Sequence, residues 1–260
     1  MKAINHSVTT LAAAFSLLAF SMTAHADSRD NHIELSAKQS YVFRTYLQGD
    51  EIKIRSKRGA VALTGVVSEN FHRSLAQETV AGLSGVKSID NRLEVKGAAP
   101  TANSDAWLRD KVKVALLFHR SVSTATAEVE VKDGIVTLRG EAVSQAQKES
   151  TAEYATYVEG VKGVKNDMTV PKTAQKAPRT IAEKVDDASI TAQVNMMLLN
   201  HRSTSVLNTT VKTKRGVVTV DGTAGNASEK RLVTNLVADI KGVNRVNNRM
   251  SILRSASVAH

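Results

Sequence analysis

Hydrophobic positions along this chain change period in a fixed order, and the order recurs. Residues 105–118 put Leu108, Val112, Ala115 and Leu116 on one face at helical spacing, and further on Ile190, Val194, Met197 and Leu198 do the same. Ser104 or Asp105 can cap the first of these helices. Behind it the period switches to two: Val129 and Val131 alternate, Asp133-Gly134 makes a turn, and the β-branched run from Ile135 to Arg139 returns, which predicts a hairpin. A second helical period follows, clearest in Val233, Leu236, Val237 and Ile240, with Asn226 or Ser228 as its cap. Alternation resumes in Val246, Met250 and Ile252. The predicted order is helix, strand, strand, helix, strand.

Glycines show that this unit is used three times. Gly59, Gly65 and Gly85 recur as Gly134, Gly140 and Gly160, then as Gly216, Gly222 and Gly242, with identical spacing inside each trio. The first of each trio supplies the positive φ of a two-residue hairpin loop, after Arg58, Asp133 and Arg215. The last stands where a helix ends in a left-handed residue. At the same distance beyond it each copy has an asparagine, Asn91, Asn166 or Asn248. All nine glycines are structural on this reading.

A β–α–β crossover and an amphipathic first helix pack most economically on the same side of a sheet. The expected fold class is therefore α+β: three tandem αββαβ two-layer sandwich domains, each a three-stranded sheet covered on one face by two helices. Residues 27–97, 104–171 and 187–253 form the domains. Residues 98–103 and 172–186, which lack apolar periodicity and include prolines, are linkers, and 254–260 is a tail. Aligning Leu47 with Leu117 and Leu199 puts the turn glycine Gly59 nearer to its leucine than Gly134 and Gly216 are to theirs, so copy 1 is expected to have a shortened loop after its first helix. That helix crowds Tyr41, Val42, Phe43 and Tyr46, and copy 1 is expected to need a neighbour for stability.

Residues 1–26 are a leader: Lys2, an apolar run from Leu11 to Phe20 too short to span a bilayer, and Ala24-His25-Ala26 as the cleavage site. No cysteine follows the run, so a soluble periplasmic protein without a lipid anchor is expected. Removing 26 of the 260 residues leaves 234, about 78 per copy, small for an independent core, and there are no cysteines for disulfides. The formal net charge is +10 with Lys2 included. Outside the cytoplasm, that points to an anionic phospholipid surface as partner; nucleic acid is disfavoured because the strands carry no stacking aromatics.

The αββαβ order, the G-x5-G strand, the Gly-Val after the second helix and the Asn-x-[Leu/Met]-x-[Val/Ile] ending resemble the BON domain family, and Ser144-Gln145-Ala146-Gln147 is similar to the usual start of its second helix. The nearest type is the osmotically inducible periplasmic protein Y family, with two such domains where this chain has three. The resemblance implies a non-enzymatic envelope protein that attaches to phospholipid membranes and supports the envelope under osmotic or related stress.

No catalytic set, cofactor or metal site is expected. There is no thiol, and His32, His72, His119, His201 and His260 lack metal-binding spacing. His119-Arg120 and His201-Arg202 sit where cations meet the negative end of a helix, which accounts for them more simply than head-group binding does. The main candidate site is a second stripe on the first helix of copy 2: Trp107, Val114 and Phe118 fall within about 40° of one another, beside Lys111, with Arg109 and Lys113 further round. Copy 3 has Ser189, Met196 and Asn200 at these places, so the fold does not require it. Such a face suits shallow insertion into anionic lipid, or packing against another copy or a second molecule. The basic hairpins, Lys57 and Arg58 in copy 1 and Lys214 and Arg215 in copy 3, are a second candidate, equally explained as solvated edges. The alternative function is a periplasmic adaptor or chaperone-like module for envelope proteins.

Overall fold

The computed structural model describes residues 28–97, 100–120, 122, 127–171, 184–201 and 209–253. The expected leader and tail, Arg202 and most of the second linker lie outside these.

Copy 1 comprises helix α1 (28–39), α2 (Tyr41–Thr45), strands β1 (Glu51–Lys57) and β2 (Ala60–Val67), α3 (Asn70–Ala81) and β3 (Ser88–Val95). Copy 2 comprises α4 (Asp105–Leu117), β4 (Ala127–Lys132), β5 (Ile135–Gly140), α5 (Gln145–Thr156) and β6 (Gly163–Asn166). Copy 3 comprises α6 (Asp187–Asn200), β7 (Thr210–Lys214), β8 (Val217–Asp221), β9 (Thr223–Ala224), α7 (Ala227–Ala238), β10 (Arg245–Asn248) and β11 (Ser251–Ile252). The middle strand of each sheet is the second strand of the hairpin, antiparallel to the first and parallel to the last. This is the expected α+β unit, three times over.

Both loop residues of each hairpin have positive φ: Arg58 and Gly59 at 54° and 82°, Asp133 and Gly134 at 53° and 80°, Arg215 and Gly216 at 53° and 72°. These are type I′ turns, which match the twist of the strands they join. Their N–H groups point out of the ladder and need an acceptor. One aspartate per copy supplies it from the start of the first helix. Asp30 accepts from Arg58 N and Gly59 N at 2.6 and 2.9 Å, Asp105 from Asp133 N and Gly134 N at 2.8 and 2.9 Å, and Asp187 from Arg215 N and Gly216 N at 2.7 and 2.8 Å. Ser104 and Asp186 do the capping of their helices, which leaves Asp105 and Asp187 free for the turns.

The aspartate stands 29 residues before the turn glycine in all three copies. That spacing corrects the alignment of copy 1: its loop is not shortened, and the residue matching Leu117 is Val42, not Leu47. The first helix of copy 1 begins well before the aromatic cluster, at α1, and breaks at Ser40, and the cluster belongs to α2. Asp186 Oδ2 and Ser189 Oγ of copy 3 accept the N–H groups of Tyr41 and Val42 at this break, at 2.7 and 3.1 Å.

The recurring asparagine is a latch between the last strand and the second helix. Asn91, Asn166 and Asn248 each donate Nδ2 to a helix carbonyl 18 residues back (Arg73, Lys148, Lys230) and accept from the N–H two residues on. The glycines Gly85, Gly160 and Gly242 are left-handed as expected, with φ of 93°, 95° and 89°. They lie beyond the helix ends at Ala81, Thr156 and Ala238, so each closes the following turn rather than capping the helix directly. At the strand glycine Gly65 a Cβ would run into the carbonyl oxygen of Glu51 on the paired strand.

Copies 2 and 3 meet about a pseudo-two-fold. His119, at the end of the first helix of copy 2, forms an antiparallel bridge with Ile240 of copy 3, and His201 of copy 3 bridges Val158 of copy 2. The two histidines hold equivalent positions ahead of their turn glycines, and Ile240 and Val158 hold equivalent positions just before Gly242 and Gly160, so the same patches are exchanged. Arg120 N donates to Asp239 O at 2.8 Å, Lys241 N to Phe118 O at 3.1 Å and Glu159 N to Asn200 O at 3.4 Å. Copy 1 joins through α3, which lies along α6, with Asn195 donating to Glu78 at 2.8 Å. The buried side chains of copies 1 and 3 form one continuous core, and copy 2 contributes Val114 and Phe118 to it.

Phe118 is wholly buried and meets Tyr46 of copy 1 edge to face, ring centroids 5.6 Å apart. Phe118→Ala is expected to cost about 3–5 kcal/mol in urea unfolding, the usual range for emptying a buried phenylalanine site. Trp107→Ser should cost about 1 kcal/mol.

Asp30 gives a pH prediction. A hydrogen bond from Ser56, then the Gly59 N–H, hold its carboxyl below the ordinary carboxylate range; the Arg58 N–H and the charge of Lys87 add to this, and burial opposes it. A lowered folded pKa means that the unfolded chain takes up the proton first. The stabilisation is complete above about pH 4 and is lost as pH falls through the folded value. Asp30→Asn is expected to be less stable than wild type at neutral pH, and the gap should close in acid. A gap that stays constant through the acid range would remove the charge of Asp30 from the account.

Candidate functional site

A groove of about 310 Å³ opens where the three copies meet. Phe71 of α3, Trp107, Lys111 and Val114 of α4, and Met196 and Leu199 of α6 line it. Val114 and Met196, both buried, form its floor, and Leu199 at its rim is 55% exposed. Trp107 is half-buried, its lower side packed on the core of copy 2. Local sequence explains the placement: Ser104 caps α4 by accepting from Trp107 N at 3.2 Å, which sets the indole in the first turn, off the face that Leu108 and Val112 bury.

The stripe read from the sequence is therefore divided. Trp107 and Val114 reach the groove. Phe118 does not: it lies one turn further along, inside the core shared by the copies, and cannot insert into lipid from this position. Val114 is 2% exposed, so it shapes the groove without forming an open surface. A stripe that one helix does not need for its own sheet was legible, but its burial by a neighbour depends on contacts as remote in sequence as that of Phe118 with Tyr46.

The three cations beside the stripe are all paired. Lys111 Nζ lies 4.4 Å from the centre of the Trp107 ring and donates to Glu159 at 3.0 Å. Arg109 bonds Asp110 at 2.9 Å, and Lys113 lies 3.7 Å from Glu69 of copy 1. The cation over the indole stiffens it and gives it a polar flank. The hairpin residues Lys57, Arg58, Lys214 and Arg215 are exposed, at one end of the sheets of copies 1 and 3.

His119 and Arg120 leave their own helix end and bind copy 3, which corrects both sequence readings of that pair. His119 is buried, stacks on Tyr154 at 3.7 Å and shares Asp239 with the Tyr154 hydroxyl, at 3.0 and 2.9 Å. Arg120 Nη2 donates to the carbonyls of Ile240 and Val243 at 3.0 and 2.7 Å. Beside them burial pushes Lys241 below the ordinary lysine range. Among the described residues no group of three or more histidine, aspartate or glutamate side chains is placed to hold a metal ion. No helix among them is long and apolar enough to cross a membrane.

Known proteins resemble parts of this chain. Osmotically-inducible protein Y of Escherichia coli is 29% identical over 143 residues, which are 54% of this chain and 71% of that protein. Outer membrane lipoprotein DolP of Haemophilus influenzae is 31% identical over 111 residues, 42% of this chain and 57% of that one. The C-terminal domain of CdsD, a structural protein of the type III secretion system of Chlamydia trachomatis, aligns with 82% of this chain and 96% of its own at 18% identity, with a TM-score of 0.23, too low to carry a likeness in arrangement. The BON domain profile matches residues 29–97, 104–172 and 186–254, one match on each structural unit, and the chain belongs to the BON domain family.

Proposed function

We propose that this protein is a non-enzymatic envelope component that docks on anionic phospholipid, with the groove around Trp107 taking the apolar part of the contact. The observation that carries the reading is the groove itself: an indole, a phenylalanine and an exposed leucine from three copies converge on one opening. An apolar cleft of this size, flanked by polar groups, suits an acyl chain or another slender apolar group. Exposed charge comes from the hairpins, where Lys57, Arg58, Lys214 and Arg215 extend the basic character of the chain to a surface that can meet phosphate head groups. The relatives add context: one is by name an outer membrane lipoprotein, the other osmotically inducible, which supports a periplasmic place and a part in osmotic or related stress.

One observation favours a second reading. Because Arg109, Lys111 and Lys113 are already matched by carboxylates, the groove also suits a neutral apolar polypeptide segment, as an adaptor or chaperone-like module would require.

Co-sedimentation with phosphatidylglycerol vesicles separates the two. Wild type should bind, with a blue shift of the emission of Trp107, the single tryptophan. Trp107→Ser/Leu199→Ser should bind roughly tenfold or more weakly, since each side chain is worth about 1.5–3 kcal/mol when buried. Undiminished binding by the variant would remove the groove from the contact. Absence of wild-type binding, with discrete protein adducts from a crosslinker at position 199 in the periplasm, would establish the adaptor.

A further inference from the structure

Each copy has the same corner, between the start of the first helix, the hairpin turn and the left-handed glycine after the second helix, and the three copies treat it differently. In copy 1 it has a volume of about 320 Å³ and is lined by Arg29, Asp30, Ile33, Arg58, Gly85 and Lys87, along with the turn glycine. In copy 2 the corresponding cleft holds Asp105, Asp133 and Lys162, so carboxylates outnumber cations, and Lys162 Nζ is engaged by the Asp133 carbonyl at 3.1 Å. In copy 3 Val185 fills the place, its Cβ only 2.6 Å from where a Cβ on Gly242 would lie.

The cations of copy 1 are not accounted for by the fold. Arg29 stands where copies 2 and 3 place the helix caps Ser104 and Asp186; Arg58 stands where copy 2 has Asp133 and copy 3 Arg215, and Lys87 where copy 2 has Lys162 and copy 3 Asn244, so only copy 1 brings all three cations together. The units fold without them. Among the described residues none of the three side chains has a hydrogen bond or ion pair, although the charge of Lys87 reaches Asp30. Asp30 already accepts on both oxygens, from Ser56 Oγ at 2.6 Å and from the two turn N–H groups. Three cations face one carboxylate whose oxygens are already committed, and the floor beneath them is the buried Ile33 and glycine backbone.

We propose that this cleft binds a phosphate monoester, with Arg29, Arg58 and Lys87 around its oxygens and the ester's carbon substituent over Ile33. The excess of two positive charges matches a group that carries about −1.5 to −2 at neutral pH, and guanidinium forks can bond phosphate oxygens in pairs. The ester can be free in solution or borne by a lipid. The site is separate from the Trp107 groove, and its test does not depend on the groove.

The protein is titrated with glycerol 3-phosphate while the amide signals of Gly59, Gly85 and Lys87 are followed by NMR. In parallel, co-sedimentation compares phosphatidic acid with phosphatidylglycerol vesicles in the Trp107→Ser background. The diagnostic variant is Arg29→Ser/Lys87→Asn, which takes the residues of the sister copies and so leaves a sequence already compatible with the fold. Saturable shifts at these amides, roughly tenfold to a hundredfold weaker in the variant, support a site for the free ester. A preference for phosphatidic acid that the variant loses, without shifts from the soluble ester, supports the lipid-borne form. Wild type that responds to neither, or a variant that responds as wild type does, overturns the proposal.

Discussion

One carboxylate per copy holds the first helix to the hairpin, and the rest of the unit depends on that bond. A type I′ turn leaves two N–H groups outside the ladder, and each would be costly to bury without an acceptor. Asp30, Asp105 and Asp187 take both at once with their two oxygens. That fixes the height of the helix along the sheet, and with it which residues face the core. The asparagine latch does the same for the second helix, from the opposite edge of the sheet. With both helices set by polar bonds of fixed spacing, a small core of Leu108, Val112, Val136, Leu138 and Met168 suffices to fill the remaining space in copy 2.

Assembly of the copies uses what the unit leaves over. A helix packed on a sheet has a second face, and here that face is where the copies meet: α3 along α6, Phe118 against Tyr46, and the reciprocal bridges at His119 and His201. Backbone groups freed at helix ends find partners in another copy, as Tyr41 and Val42 of copy 1 do on Asp186 and Ser189 of copy 3. Copy 1, with its broken first helix, therefore depends on copy 3 in a specific way. The continuous core of copies 1 and 3 follows from the same contacts.

Within a unit, nearly everything was legible in the sequence, because glycine positions, alternation and helical period are local signals. The element order, the hairpins and the placement of helices on one face all follow from them. The clamp was missed although its signal is plain afterwards, an aspartate at one constant distance before each turn glycine; hydrophobic periodicity gives no weight to a polar residue. Misalignment of copy 1 had the same origin. Its aromatic cluster resembles a helix face, whereas Asp30 marks where the helix begins. At the candidate site the sequence showed that Trp107, Val114 and Phe118 are surplus to the sheet, but not that one of them is buried between copies and the others line a groove. Those outcomes depend on contacts between residues as far apart as Phe71, Trp107 and Leu199, which no local pattern encodes.

Three copies on one backbone turn each equivalent position into a small comparison. Positions that agree, such as the clamp, the latch and the glycines, are those that the unit requires. Positions that differ have two separate causes, and burial tells them apart. The column of His32, Trp107 and Ser189 shows both: His32 is exposed to solvent, Ser189 accepts the Val42 N–H between copies, and Trp107 is half-buried at an open groove. Phe118 and Ser189 are explained once the neighbouring copy is in place. Trp107 and Arg29 are not, since an indole beside open space and a cation at the place of a helix cap do nothing for the packing of the copies. Differences that assembly leaves unexplained are where selection for a ligand can act, because substitution there changes a surface without loosening the unit that carries it.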